Sequence, residues 1–244
     1  MKHILITGAS SGIGAAVAKR LAKPDSRLSL GARRVERLDD LVDGAFCHQL
    51  DVTDEQSVQE FIEQAVDANG PVDVLVNNAG LARGLERVAE ADGVAWREMV
   101  ETNIFGVLYM TNRVLPSMIE RGQGHVVMLG SIAGHETYEG GSVYCATKRG
   151  LISITEAIRI ETRGTGIRVT SVDPGMVETE FSLVRFKGDT ERSEAVYQGT
   201  RPLSGEDIAD CIEFALSRPD HVCIDNMLVM PTDQVRTRHV HRSE

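Results

Sequence analysis

Ile4-Leu5-Ile6-Thr7-Gly8-Ala9-Ser10-Ser11-Gly12-Ile13-Gly14 is the stretch from which the rest of the chain can be read. Its three apolar residues have the length and β-branching of a short buried strand. Ala15 to Leu21 continue with a helical pattern. A strand, a glycine turn and a helix in that order form the setting in which glycines receive a phosphate. Without Cβ atoms the backbone amides can approach a pyrophosphate, and the helix N-terminus favours its charge. The spacing is Gly-x-x-x-Gly-x-Gly rather than the commoner Gly-x-Gly-x-x-Gly. The same residues could make a tight turn with no ligand, but three glycines and two serines exceed what turning requires. Gly8, Ser10, Ser11, Gly12, Ile13 and Gly14 are therefore candidate cofactor-binding residues.

Working outward, short apolar runs recur as strand candidates at Leu28–Leu30, Ala45–Leu50, Val72–Val76, His125–Leu129, Ile167–Val172 and Met227–Met230. Helical patterns lie between them. They cover Val35–Leu41, a segment ending near Asn69, Trp96–Arg121, a helix through Tyr144 that stops at Gly164, and Glu206–Leu216. The last polar, basic residues, 236–244, are expected to form a loose tail after a single body spanning 1–235. There is no internal repeat or low-complexity segment.

The end of the second strand discriminates between cofactors. Chains that bind NAD usually place an acid there to hold the ribose 2′-hydroxyl. This chain has Arg33 and Arg34 instead. An acid would repel a 2′-phosphate, whereas a guanidinium grips it through paired hydrogen bonds. The two arginines could also simply open the charged helix that follows; their position favours NADP(H). Asp51, with Val52 beside it, can bond an adenine amino group, while Thr53-Asp54-Glu55-Gln56 can cap the next helix. Asn77-Asn78-Ala79-Gly80 closes the fourth strand where open α/β sheets bind ligands, which makes Asn78, Ala79 and Gly80 candidates. The alternative is a polar turn.

Tyr144-Cys-Ala-Thr-Lys148 carries the chemistry. On a helix, a phenol and an ammonium four residues apart share one face. A free tyrosine, with a pKa of about 10, is too weakly acidic to exchange a proton near neutrality. A cation held close favours the phenolate. Ser131, at the end of the fifth strand, is placed to hydrogen-bond a substrate oxygen. Asn103 falls inside the long helical stretch, where asparagine is a poor helix former; it is either a tolerated surface residue or the anchor of a buried water. His135 and Tyr138 in the following loop either contact substrate or face solvent. Asp173-Pro174-Gly175 ends the sixth strand, and Met176 to Thr179 continue beside the nicotinamide that such a pocket implies. That adds Pro174, Gly175, Val177 and Thr179 to the cofactor candidates. Phe181 to Asp189 interleaves aromatic and basic residues, as would a lid closing on a small anion, with Arg185 and Lys187 as its cations. A solvated loop is the other reading.

Composition removes several classes of function. The net charge of −10 argues against nucleic acid as a partner. Cys47, Cys145, Cys211 and Cys223 have neither metal-type spacing nor disulfide-like density, so free thiols and no metal site are expected. No apolar run approaches the roughly 20 residues that span a bilayer. Met1-Lys2-His3 leads directly into a short strand rather than a signal peptide. A soluble, cytoplasmic protein is expected, with no membrane partner.

Four signatures now stand in order: Thr7 to Gly14, Asn77 to Gly80, Ser131 with Tyr144-x-x-x-Lys148, and Asp173-Pro174-Gly175. Over nearly its whole length the chain resembles a classical short-chain dehydrogenase/reductase. Leu81-Ala82, Tyr138 to Gly141 and Thr179 to Asp189 are similar to the NADP-dependent 3-hydroxy acid (serine/allo-threonine) dehydrogenases. Those enzymes oxidise the 3-hydroxyl of small 3-hydroxy acids or reduce the matching semialdehydes. Pro231 to Val235 also resembles the clavulanate-type aldehyde reductases. Lys23-Pro24-Asp25-Ser26 departs from the family by replacing the usual glycine turn before the second strand, far from the chemistry. The resemblance implies an α/β fold, a Rossmann-like doubly wound parallel sheet of about seven strands, and homotetramers. It implies Tyr144 as acid/base, Lys148 as its activator and ribose ligand, and Ser131 as the partner of the substrate oxygen. Asn103 would complete a proton relay by holding a water near Lys148. A small, anionic substrate such as serine, allo-threonine or 3-hydroxypropionate follows. A reductase of a larger aldehyde or ketone, and a non-catalytic nucleotide-binding regulator, are the competing functions.

Overall fold

The structure is a computed structural model, and it describes residues 1–243. Seven strands form one parallel sheet in the order β3-β2-β1-β4-β5-β6-β7. They are β1 (Lys2–Thr7), β2 (Ser26–Ala32), β3 (Phe46–Gln49), β4 (Val74–Asn77), β5 (Gly124–Leu129), β6 (Ile167–Pro174) and β7 (Asn226–Val229). Helices cover both faces, so the central strands are apolar on both sides. Along β1, Ile4 and Ile6 join one core and Leu5 the other. The first core packs α1 (Gly12–Leu21) and α9 (Gly205–Leu216); the second packs α2 (Glu55–Asn69), α4 (Gly106–Arg121) and α6 (Ser142–Glu161). Strand order reverses direction between β1 and β4, the switch point at which sheets of this kind open a crevice at the carboxyl ends of their strands.

Three segments differ from the sequence reading. Val35 to Leu41 is not a helix: one 3-10 turn covers Val35–Arg37, and the chain then loops while Leu38 is fully buried. The segment is too short to be stable alone, and Asp39 and Asp40 would sit where a helix dipole is negative. The long helix begins earlier than Trp96 and is not continuous. It comprises α3 (Gly93–Val100), a π turn over Glu101–Phe105, and α4. Asp92 caps α3 by accepting from the Val94 amide. The tail is not loose over residues 236–243. Arg236 pairs with Glu136, and Arg238 stacks over Tyr138 and donates to the Glu139 carbonyl. Arg242 donates to the Val196 and Gln198 carbonyls.

Between β6 and α9 the chain forms two short helices, α7 (Phe181–Arg185) and α8 (Thr190–Ala195). Lys187 and Gly188, both at positive φ, reverse the direction between them, and Asp189 caps α8. The segment read as either a lid or a solvated loop is thus built of helical turns. The short helix α5 (Ile132–His135) and α3 complete the site's surroundings.

Candidate active site

A groove of about 710 Å³ runs across the carboxyl ends of the strands. Its floor is the β1–α1 turn, and the two outer glycines of that turn have separate tasks. Gly8 has φ +66°, and a Cβ there would lie 2.9 Å from the Ala79 backbone. A Cβ at Gly14 would collide with the Gly8 carbonyl and the Asn78 amide. Gly14 is buried and does not line the groove: it lets α1 pack against the turn rather than touching a ligand. Asn78 fixes the facing wall by donating to the carbonyls of Thr7 (2.8 Å) and Gly8 (3.1 Å).

At one end the groove is lined by Ala32, Arg33, Arg34, Arg37, Leu50, Asp51 and Val52. Arg34 donates to Ser11 Oγ and to Glu180, each at 2.9 Å, and Arg37 donates to the other Glu180 oxygen at 2.8 Å. These bonds hold the Glu180 carboxyl below its ordinary range. Arg33 is exposed and has no ion-pair partner among the described residues. Arg37 and Glu180 were not singled out from the sequence. Arg37 lies one turn after Arg34, a spacing that could have marked it, whereas Glu180 meets them from 143 and 146 residues away. Two guanidiniums bind one carboxylate, and with Arg33 unpaired among the described residues the three arginines outnumber Glu180 and Asp51 at this end, an excess of positive charge that suits a phosphate. Asp51 lines the same end and accepts from the Thr53 amide and hydroxyl; Asp54 is the residue that caps α2.

At the other end lie Ser131, Tyr144, Lys148, Pro174, Gly175, Val177 and Thr179. Tyr144 is 8% exposed. Burial raises its pKa and the neighbouring Tyr138 adds to the rise, while the Ser131 hydroxyl and the Arg185 guanidinium pull it back. Phe181 tilts against the Tyr144 ring at 5.7 Å. Lys148 is 6% exposed and donates to the Leu129 carbonyl at 2.7 Å. Burial brings its pKa down to about 8, opposed by the charge of Asp173. The Arg185 guanidinium thus favours the Tyr144 phenolate, and Lys148 is tethered to the strand end at the groove wall.

Asn103 is not a surface residue. It is 1% exposed; its Oδ1 accepts from the Leu81 amide, and its Nδ2 donates to the Leu81 carbonyl and to Thr147. The amide thereby clamps the chain leaving β4 to α6. It does not line the groove, although its Oδ1 and the Lys148 ammonium both approach Gly80 closely.

A second cavity of about 280 Å³ adjoins Tyr144, lined by Arg83, Trp96, Met99, Val143, Arg185 and Lys187 among others. Arg185 Nε donates to the Gly84 carbonyl and its NH2 group to Tyr138 Oη, each at 2.9 Å, and the guanidinium lies 5.6 Å from the centres of both the Tyr138 and Tyr144 rings. Lys187 is exposed at the rim of both cavities, so the two lid cations are separated: one is at the reaction centre and one at the mouth. Tyr138 lines neither cavity and reaches the site through Arg185, while His135 is bonded to Asp173. Arg83, which the sequence reading did not single out, is tied to Glu98 and the Val184 carbonyl.

A buried phenol that borders both cavities, with the Ser131 hydroxyl on the groove side and the Arg185 guanidinium on the small-cavity side, can pass a proton to or from an oxygen held between them. The glycine turn and the arginine cluster have the shape and charge for a phosphorylated dinucleotide in the groove.

Comparison with known proteins agrees with this geometry. The short chain dehydrogenase family model matches residues 2–189. The chain is 43% identical to the NADP-dependent 3-hydroxy acid dehydrogenase of Schizosaccharomyces pombe, over 100% of this chain and 97% of that one. It is 44% identical to sulfoacetaldehyde reductase 2 of Chromohalobacter salexigens, over 95% and 94%. Among solved structures it resembles the closed form of a serine dehydrogenase complexed with NADP+, with a TM-score of 0.93, 39% identity, and coverage of 99% and 100%. The chain belongs to the short-chain dehydrogenase/reductase family.

Proposed function

We propose that this protein transfers a hydride between NADP(H) and the 3-hydroxyl, or the corresponding carbonyl, of a small 3-hydroxy acid. It is an NADP-dependent oxidoreductase acting on a CH–OH group. The observation that carries the choice of substrate is Arg185, a cation 5.6 Å from the Tyr144 ring inside a cavity of about 280 Å³. Such a space suits a molecule of a few heavy atoms with an anionic end. The names of the relatives point the same way: oxidised 3-hydroxypropionate and sulfoacetaldehyde both place an aldehyde one methylene from an anion. Serine, allo-threonine and 3-hydroxypropionate are candidate substrates. The cavity disfavours the larger aldehydes of a clavulanate-type reductase, and a nucleotide-binding regulator would need no Ser131, Tyr144 and Lys148 around it. A cytoplasmic homotetramer is the expected assembly, which sedimentation would test.

In this reading Gly8, Ser10, Ser11, Gly12, Ile13, Asn78, Ala79 and Gly80 hold the pyrophosphate and adjoining ribose. Arg33 and Arg34 hold the 2′-phosphate, Asp51 and Val52 the adenine, and Pro174, Gly175, Val177 and Thr179 the nicotinamide end. When bound, the nicotinamide supplies or accepts the hydride. Ser131 donates to the substrate oxygen and holds it against Tyr144, which takes the hydroxyl proton in oxidation and returns it in reduction. Lys148 and Arg185 favour the phenolate form. Asn103 positions Leu81 and α6, and with them the ammonium. Arg185 meets the carboxylate and fixes which hydroxyl faces Tyr144. Lys187 at the rim guides the anion inward.

The test follows NADPH absorbance with an acid and its methyl ester. Wild type is expected to prefer the acid. Arg185→Ala is expected to lower kcat/KM for the acid by about tenfold or more beyond any loss for the ester, the size of a charge-assisted contact of about 1.5–3 kcal/mol, since both substrates share its effect on Tyr144 and only the acid loses a contact. Equal use of both by wild type and variant would favour the larger-aldehyde reading.

A further inference from the structure

Asp173 is wholly buried and has no part in the proton transfer derived above. It stands at the end of β6 and receives donors from two other elements and from its own strand. His135 Nε2 on α5 and Asn226 Nδ2 on β7 each lie 2.5 Å from Oδ2, and the Ser171 hydroxyl donates to Oδ1. The carboxylate also lies against Gly130, where any Cβ would collide with Oδ1. Gly130 joins Leu129, whose carbonyl receives Lys148, to Ser131. One anion thus sits behind both the ammonium and the hydroxyl of the site. The charged groups facing it are Lys148 from α6 and, when protonated, His135 from α5. Ser171 and Asn226 are neutral, and Arg149 reaches only the His135 carbonyl.

We propose that Asp173 is a positioning residue of the reaction, a buried anion that keeps Lys148 cationic and pins the Leu129–Ser131 strand end. A buried ammonium tends to lose its proton, and a nearby carboxylate reverses that tendency. Burial pulls Lys148 down to about 8, and Asp173 is the charge opposing it. With the anion gone, Lys148 would be partly neutral near pH 7 and would no longer favour the phenolate. His135, about one-third exposed, is the solvent-facing end of the cluster.

The inference rests on the proposed function for its meaning, but its test needs no substrate. The chain has five lysines, so 13Cε labelling resolves Lys148, assigned with Lys148→Arg. In Asp173→Asn the Lys148 midpoint should fall by about one pH unit, with the melting temperature and NADPH binding reporting that the fold is retained. His135→Gln keeps the anion and should leave the midpoint unchanged or raised. Should Asp173→Asn fail to fold, Gly130→Ala reads the same contact from the other side. Its methyl displaces the carboxylate and should lower the midpoint. An unchanged midpoint in Asp173→Asn, an equal fall in His135→Gln, or, where Asp173→Asn does not fold, an unchanged midpoint in Gly130→Ala would overturn the proposal. In turnover, the alkaline limb of the pH profile should move down with the Lys148 midpoint, a shift that a purely structural loss would not produce.

Discussion

The two ends of the sheet both bury titratable side chains, for opposite reasons. At the amino ends, His3 on β1 lies between Ser29 Oγ and the Gly70 carbonyl, each at 2.7 Å, and His125 on β5 meets the Thr170 hydroxyl at 2.8 Å. Burial lowers both pKa values, that of His125 to about 3. These imidazoles are neutral and packed in, and neither lines a site cavity. At the carboxyl ends Tyr144 and Lys148 are buried as well, yet both border open space. Charged neighbours stand near all four groups, so neither burial nor a nearby charge marks a reactive group; burial beside a cavity does.

The contrast breaks most sharply at Tyr144. Tyr144→Phe should reduce turnover by roughly 10²–10⁴-fold while stability and NADPH binding stay near wild type, because only the exchangeable proton is lost. Turnover by absorbance and binding by fluorescence check this, and near-full activity in the folded variant would refute the assignment. Next in size are the groove's arginines. Arg33→Ala or Arg34→Ala should raise the KM for NADP by about tenfold or more and that for NAD far less. Equal use of both cofactors by wild type would remove the 2′-phosphate from the picture.

The smallest effect belongs to the amino end. The folded-state pKa values of His3 and His125 lie below the ordinary 6.5, so below pH 6.5 the unfolded chain binds protons that the folded chain refuses. Their contribution is complete above that pH and is lost as pH falls, for His125 toward about 3. Urea midpoints at pH 7 and pH 5 should show the drop. His125→Leu should reduce it, since the Thr170 hydroxyl still donates to the Ile224 carbonyl at 2.7 Å. A drop unchanged in that variant would assign acid sensitivity elsewhere.

What was legible in the sequence was what repeats or clusters locally. The apolar runs placed all seven strands, because a parallel sheet covered on both faces leaves little else for its strands to be. The ordered motifs placed Ser131, Tyr144, Lys148 and the glycine turn in one groove. What was illegible depends on partners distant in the chain. Glu180 has no meaning until Arg34 and Arg37 approach it. Asp173 reads as part of a turn until His135 and Asn226 converge on it. Asn103 looks like a helix misfit because its partner, Leu81, lies 22 residues earlier. The ordered tail over 236–243 rests on Glu136, Glu139 and Tyr138, contacts that no local pattern announces.

The π turn at Glu101–Phe105 has a consequence for heredity. A π turn is an α-helix carrying one residue more than its span needs. Deleting one residue between 101 and 105 would restore a regular helix in the same span, so α3 and α4 would keep their faces. Met99, 3% exposed, would stay on its core, but the residues of the turn would be re-aimed and the amide of Asn103 would no longer face Leu81. The surplus residue thus serves to aim one side chain. Substitutions along the helix's outer face are tolerable steps for a lineage, whereas a single-codon deletion in the turn keeps the helix and loses the clamp.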